Sequence, residues 1–180
     1  YLRPRPDSVV WDVGGGTGAL ALEIARLLPG GRVQALERDP EAIDLLELNR
    51  ARFGIKNLEV FAGQAPADLA KLAPAPDRVV LEVGRPLGDV LRAVWDAMAP
   101  AGRLVISTTS LEGLVDATDH LGQLAANDVQ VSQATVHRMV RRDIPPRWWC
   151  WTPWQWRMGQ WPRCDWIIAC HLVFTGVGAR

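Results

Sequence analysis

What is missing from this chain narrows its reading before any motif is sought. There is no net charge, with 20 basic against 20 acidic side chains in 180 residues. That balance gives no ground for a nucleic-acid or membrane-surface role driven by overall charge. There is no long hydrophobic run: the most continuous one, Trp166 to Phe174, is about half the length a membrane-spanning helix needs. No apolar core follows Leu2-Arg3-Pro4-Arg5-Pro6, so nothing there resembles a secretory signal. Cysteine is scarce. Cys150, Cys164 and Cys170 are odd in number and form no CxxC, which points to reduced, inert thiols in a cytoplasmic protein. Cys164, Cys170 and His171 do not have the spacing of a zinc site, so no metal is expected. His120, His137 and His171 stand alone, no Ser-His-Asp arrangement can be assembled, and no repeat or low-complexity tract interrupts the chain. The first residue is Tyr1, with strand-like sequence within about ten residues, as a piece of a longer protein would show.

What is present is alternation. Ser8 to Val13, Arg32 to Glu37, Leu58 to Ala62, Asp77 to Val83 and Arg103 to Thr108 read as strands. Between them, Leu20, Ile24, Leu27 and Leu28 recur at helical spacing up to Gly30-Gly31, and Ile43, Leu46, Arg50 and Phe53 do so up to Gly54. Asp39-Pro40 pairs an N-cap side chain with a proline at the first helical position, and Gly54 stands where a left-handed C-cap belongs. A short helix near Ala67 to Leu72, one from Leu87 to Met98 with Val90, Val94 and Met98 on a stripe, and one capped by Ser110 and running to about Ala125 complete the set. Strands and helices in this order imply βαβ units and a mostly parallel sheet covered on both faces. The end differs: Val129 to Val136 and Trp166 to Val177 read as an antiparallel pair.

The segment WDVGGGTGALALEIA, Trp11 to Ala25, joins the first strand to the first helix through a glycine turn that two kinds of cofactor would suit. Read as GxGxx(G/A), Gly14, Gly16 and Ala19 fit a dinucleotide fingerprint, with Glu37 as the ribose acid about 20 residues on. Read as DxGxGxG, Asp12, Gly14, Gly16 and Gly18 match the S-adenosyl-L-methionine (AdoMet) loop of class I methyltransferases. Asp12 favours the second reading. A carboxylate at the strand end opposes a pyrophosphate, whereas AdoMet carries no phosphate, and its methionyl ammonium is attracted to that carboxylate. Its own carboxylate can accept from backbone N–H groups at the helix start, and Thr17 offers a hydroxyl. Glu37 is a bidentate acceptor for two ribose hydroxyls. The loop Phe61-Ala62-Gly63-Gln64-Ala65-Pro66 follows the third strand, where this fold places the adenine pocket, so Gln64 and the Ala65 backbone are candidates for the base edge. The expected cofactor site is thus Asp12, Gly14, Gly15, Gly16, Thr17, Gly18, Glu37, Arg38, Gly63, Gln64, Ala65 and Glu82. No catalytic side chain is singled out.

Five parallel strands and an antiparallel pair resemble the class I methyltransferase architecture. That is a Rossmann-like α/β fold whose central, mostly parallel seven-stranded sheet has helices on both faces and an antiparallel edge strand. Residues 1–180 read as a single methyltransferase domain, with an AdoMet-binding core over 1–126 and edge strands over 127–180 that hold a Trp-rich insert at 141–165. The segment from Leu2 to about Ala125 further resembles the decarboxylating precorrin-6Y C5,15-methyltransferases of cobalamin biosynthesis. DVGGGTGALALEIARLLPGGRV, ALERDPEAI, NRARFGIKNLEVFAGQAPADL, AVWDAMAPAGRLVI and TSLEGL carry that resemblance. It implies methyl transfer to carbon 15 of a corrin precursor with loss of carbon dioxide from an acetate side chain. It also implies a polyanionic tetrapyrrole substrate and a homo-oligomer, a tetramer in the family, with no membrane or nucleic-acid partner. A tRNA adenine methyltransferase is the alternative enzyme: Gly14 to Leu20 and Glu82 compare with its loop and post-strand acid, but no Asp-Pro-Pro-Tyr-like motif is present. A catalytically impaired assembly domain is the non-enzymatic alternative.

Two stretches depart from that family. Leu81-Glu82-Val83-Gly84-Arg85-Pro86 stands where its members carry a Gly-Gly-Ser-Gly-Gly-like run. Seven of the nine tryptophans fall between Trp148 and Trp166. Three readings of that segment stay open: a stacking surface for a ring-shaped anion or a base, an apolar oligomer contact, and a stretch of GC-rich gene read out of frame.

Overall fold

The computed structural model describes residues 1–82, 84, 87–124, 127–134 and 171–177. Five short apolar runs form parallel strands: β1 (Val9–Val13), β2 (Arg32–Glu37), β3 (Leu58–Ala62), β4 (Arg78–Leu81) and β5 (Arg103–Thr108). A strand covered on both faces is buried along its whole length, and β4 is so at every residue. The helices between them are α1 (Ala19–Leu27), α2 (Pro40–Phe53), α3 (Leu87–Ala97) and α4 (Leu111–Gln123). Two later strands, β6 (Asn127–Ala134) and β7 (His171–Val177), pair antiparallel with each other, and β7 pairs antiparallel with β5. Among the described residues the sheet runs β3-β2-β1-β4-β5-β7-β6. The chain goes outward from β1 to β3, then returns to place β4 on the other side of β1. This reversal leaves a crevice at the carboxyl ends of β1 and β4, where no connection crosses.

Alternation along the strands divides the core between two faces. Val10, Val33, Ala35 and Val80 pack with Ala21, Ile24 and Leu28 of the α1 region and Leu46 of α2. Trp11, Val13, Leu36, Val79 and Leu81 pack with Leu91 and Val94 of α3 and Ala117 and Leu121 of α4. Each large aliphatic side chain so buried contributes about 1.5–3 kcal/mol.

The helix ends follow the chemistry of their residues. Asp39 Oδ1 accepts from the Glu41 N–H at 3.1 Å with Pro40 at the first helical position, and Gly54 closes α2 at φ 64°. Ser110 Oγ accepts from the Gly113 N–H at 3.0 Å to start α4.

The expected elements differ from the observed ones in detail. In α1 and just after it Ile24 and Leu28 are buried as expected, but Leu20 and Leu27 are exposed, and Ala21, Leu22 and Ala25 are buried in their place. The expected short helix near Ala67 to Leu72 is a single 3-10 turn, Leu69–Lys71, and α4 ends at Gln123. The Trp-rich segment 141–165, Val83, Arg85, Pro86, His137 and the three cysteines lie outside the described residues.

Candidate cofactor site

After β1 the chain turns through Gly14 at φ 88°, Gly16 at φ 52° and Gly18 at φ 83° before α1 begins. These are left-handed conformations that side-chain-bearing residues rarely adopt. Gly18 is also a point of close approach, since a Cβ there would lie 2.6 Å from Leu46 Cγ. The turn is tied to β2 by the Gly14 and Gly15 N–H groups, which donate to the Leu36 carbonyl at 2.9 and 3.3 Å. Its middle is tied to the acid at the end of β2: Glu37 Oε2 accepts from the Gly16 N–H at 2.8 Å. Glu37 Oε1 accepts from the N–H groups of Arg38 and Asp39 at 2.8 and 3.0 Å. A carboxylate offers about four lone-pair positions, so these three bonds orient Glu37 without exhausting it.

Asp12, near the end of β1, is 2% exposed, and its Oδ2 has no hydrogen-bond partner among the described residues. It lies under the glycine turn, 3.6 Å from where a Gly15 Cβ would stand. Burial pushes its carboxyl up to about 7, the charges of Glu82 and Glu37 add to the rise, and a backbone hydrogen bond at Ala21 opposes it. An orphaned buried acceptor costs about 1–3 kcal/mol. Three carboxylates converge here, and the buried one has an oxygen with nothing to bind. A cation-bearing ligand relieves that arrangement, whereas a pyrophosphate aggravates it. The residues present therefore fit AdoMet.

Glu82 is the first residue beyond β4, and its N–H donates to the Val13 carbonyl at 2.9 Å, which sets it across the crevice mouth. On the far side of the crevice from Glu37, a cavity of about 560 Å³ opens at the ends of β4 and β5. Glu82, Ser107, Thr108, Glu112 and Asp116 line it. Glu112 and Asp116 were not singled out from the sequence, although their i, i+4 spacing directly behind the Ser110 cap places both on one helix face. His120, read from the sequence as structural, sits against Gly88 of α3 and approaches Asp116 Oδ1 at 3.3 Å.

The other expected residues divide. Gly63 adjoins Glu37, donating its N–H to the Glu37 carbonyl at 2.9 Å, and a Cβ on it would meet Asp68 Cβ at 2.7 Å. The Gln64 N–H is occupied by Asp68 Oδ2 at 2.8 Å, so only the exposed Gln64 side chain is left to face a base. Lys71 and then the Gln64 N–H hold the Asp68 carboxyl below its ordinary range. Ala65 is half-buried against the core. Thr17 and Arg38 are exposed: Thr17 joins the loop network through its carbonyl, which accepts from Asn49 Nδ2 at 3.2 Å, and Arg38 through its backbone.

Known proteins resemble this chain in sequence and fold. Residues 1–143 match the family described as precorrin methyltransferase domain. The probable cobalt-precorrin-6B C(15)-methyltransferase (decarboxylating) of Methanothermobacter thermautotrophicus is 35% identical over 137 residues, 76% of this chain and 70% of that protein. The crystal structure of precorrin-6Y C5,15-methyltransferase from Geobacter metallireducens superposes with a TM-score of 0.78 at 25% identity, covering 98% of this chain and 83% of that one. Precorrin 8W decarboxylase of Methanobacterium thermoautotrophicum does so with a TM-score of 0.73 at 29% identity, covering 98% and 85%. A family match over residues 1–143, with a relative 35% identical over 76% of the chain, shows that the protein belongs to the precorrin methyltransferase family.

Proposed function

We propose that the chain binds AdoMet in the crevice between β1 and β4 and methylates a carbon of a precorrin or cobalt-precorrin in cobalamin biosynthesis, with decarboxylation of an acetate side chain. The unpartnered, buried Oδ2 of Asp12 carries this reading, because a ligand that brings an ammonium satisfies it. When bound, AdoMet supplies a methyl group on a positively charged sulfur.

The chain's own residues bind and align. Glu37 is held by three backbone N–H groups in the pose that accepts ribose hydroxyls. The start of α1 has no side-chain cap and no acidic residue in its first turn, which suits the methionyl carboxylate. Gly63 and the Gln64 side chain border the base. Transfer from a sulfonium is an in-line displacement, so alignment and exclusion of water are the main contributions such a site makes. Residues 1–126 act as the cofactor core, and the protein works as a homo-oligomer, a tetramer by its family resemblance.

Calorimetric titration with AdoMet and with NAD in parallel tests the reading. Wild-type protein binds AdoMet in the micromolar range, and Glu37→Ala abolishes the signal. Comparable affinity for NAD would overturn the assignment, and mixing with precorrin should release carbon dioxide only when AdoMet is present.

A further inference from the structure

Methyl transfer changes the charge of the cofactor at one atom. The new carbon–carbon bond uses the acceptor carbon's electron pair, the carbon–sulfur bond breaks, and its pair stays on sulfur. The sulfonium becomes a neutral thioether, while the ammonium and carboxylate of the methionyl end are unchanged. A group that senses the ammonium therefore treats AdoMet and S-adenosylhomocysteine alike. Only a charge near the sulfur can tell them apart.

Resting on the AdoMet site proposed above, we infer that Glu82 makes this crevice selective for the cationic methyl donor over its neutral product and so promotes release of the spent cofactor. Three observations support it. The first is position. With Val13 paired to Leu81, and the Glu82 N–H on the Val13 carbonyl at 2.9 Å, Glu82 stands at the carboxyl edge of the strand pair where the sheet order reverses. It also lines the cavity at the carboxyl ends of β4 and β5, on the side of the crevice away from Glu37.

The second observation is the sign of the field. Both outside charges that act on Asp12 are carboxylates, Glu82 ahead of Glu37, and Asp12 itself is 2% exposed with an unpartnered oxygen. The crevice is thus anionic around an unsatisfied buried acceptor, a setting that asks for a cationic ligand. The third is availability. Glu37 is oriented by three backbone donors and Asp12 is enclosed, whereas Glu82 is exposed and has no side-chain hydrogen bond or ion pair among the described residues. Asp12 serves the ammonium common to both ligands, and Glu82 serves the sulfonium found on one.

The test measures equilibrium binding of AdoMet, S-adenosylhomocysteine and sinefungin, which carries an ammonium in place of the sulfonium, to the full chain and to Glu82→Gln. In wild type the preference for AdoMet over S-adenosylhomocysteine shrinks as salt rises, since the charge is exposed. Glu82→Gln should weaken AdoMet and sinefungin by about 3- to 10-fold and leave S-adenosylhomocysteine within about 2-fold. Equal factors for all three ligands, or no change in any, would overturn the inference while leaving the cofactor site intact. Failure of wild type to bind AdoMet at all would instead sink the site itself, and the inference with it. Glu82→Ala repeats the measurement should Gln alter folding, with a thermal melt as the check.

Discussion

The β1–β2 side of the crevice and the β4–β5 side are built on different principles. On the first, backbone does the shaping: three left-handed glycines, five N–H bonds from the turn and the β2 end to Leu36 and Glu37, and Leu46 filling the space a Gly18 side chain would need. On the second, side chains face open space. Glu112 and Asp116 border the cavity, and Leu111 and Val115 are 70% and 59% exposed beside it. A pocket for a ligand of fixed shape is preorganised by the chain's own hydrogen bonds, while a surface for a large ring ligand leaves apolar area to be covered on binding.

The largest expected effect breaks the preorganised side. Gly18→Val forces a β-branched residue to φ 83° and onto Leu46, and should cost about 4 kcal/mol, lowering Tm by roughly 10 °C and abolishing AdoMet binding. Next comes Asp12→Asn, which acts in opposite directions on stability and binding. The Asp12 carboxyl titrates near 7 when folded and near 3.8 when unfolded, so the folded state holds an extra proton between those values. That contribution to stability is whole below about pH 4, declines as pH rises, and is lost above about 7. Ligand-free Asp12→Asn should therefore be more stable than wild type at pH 8 by about 4 kcal/mol, with the gain vanishing near pH 4, as denaturant melts at the two pH values will report. AdoMet affinity of the same variant should fall.

The wild type sharpens the point, because the anion of Asp12 is the form that pairs with an ammonium. Its affinity for AdoMet should rise roughly tenfold between pH 5.5 and 7 as the carboxyl ionises, and the Asn variant should show no such slope. The smallest effect belongs to the open side. Leu111→Ser should change stability by less than about 0.5 kcal/mol, since the side chain is already exposed, while raising KM for the tetrapyrrole a few-fold. A large loss of stability there would show that α4 is not a free wall.

Much of this was legible from spacing alone. The boundaries of β2, β3 and β5 follow from apolar runs, and the ends of α2 from Asp39-Pro40 and Gly54, because local chemistry decides caps and turns. Asp12, Glu37 and the glycines were legible because a tight strand-to-helix turn needs bare backbone and the two acids stand at or next to the ends of their strands. Glu112 and Asp116 were not, since an acid on an amphipathic helix looks like any solvated residue until a neighbouring strand end opens a cavity before it. Gln64 and the Ala65 backbone were read as candidates for the base edge, and spacing could not show that Asp68, four residues on, takes the Gln64 N–H and leaves its exposed side chain for that role. The burial of Ala21 and Ala25 in place of Leu20 and Leu27 reflects how α1 is rotated against the sheet, which periodicity does not contain.

The sequence by itself determined the alternation of strands and helices, the left-handed glycine turn and the two acids beside it, because each depends on residues close together in the chain. Only the tertiary structure decided that the charge of Glu82 acts on Asp12 and that the buried oxygen of Asp12 has no partner among the described residues. Those outcomes depend on which strands become neighbours, and β1 and β4 are brought together by packing across more than 60 intervening residues, beyond the reach of any local pattern.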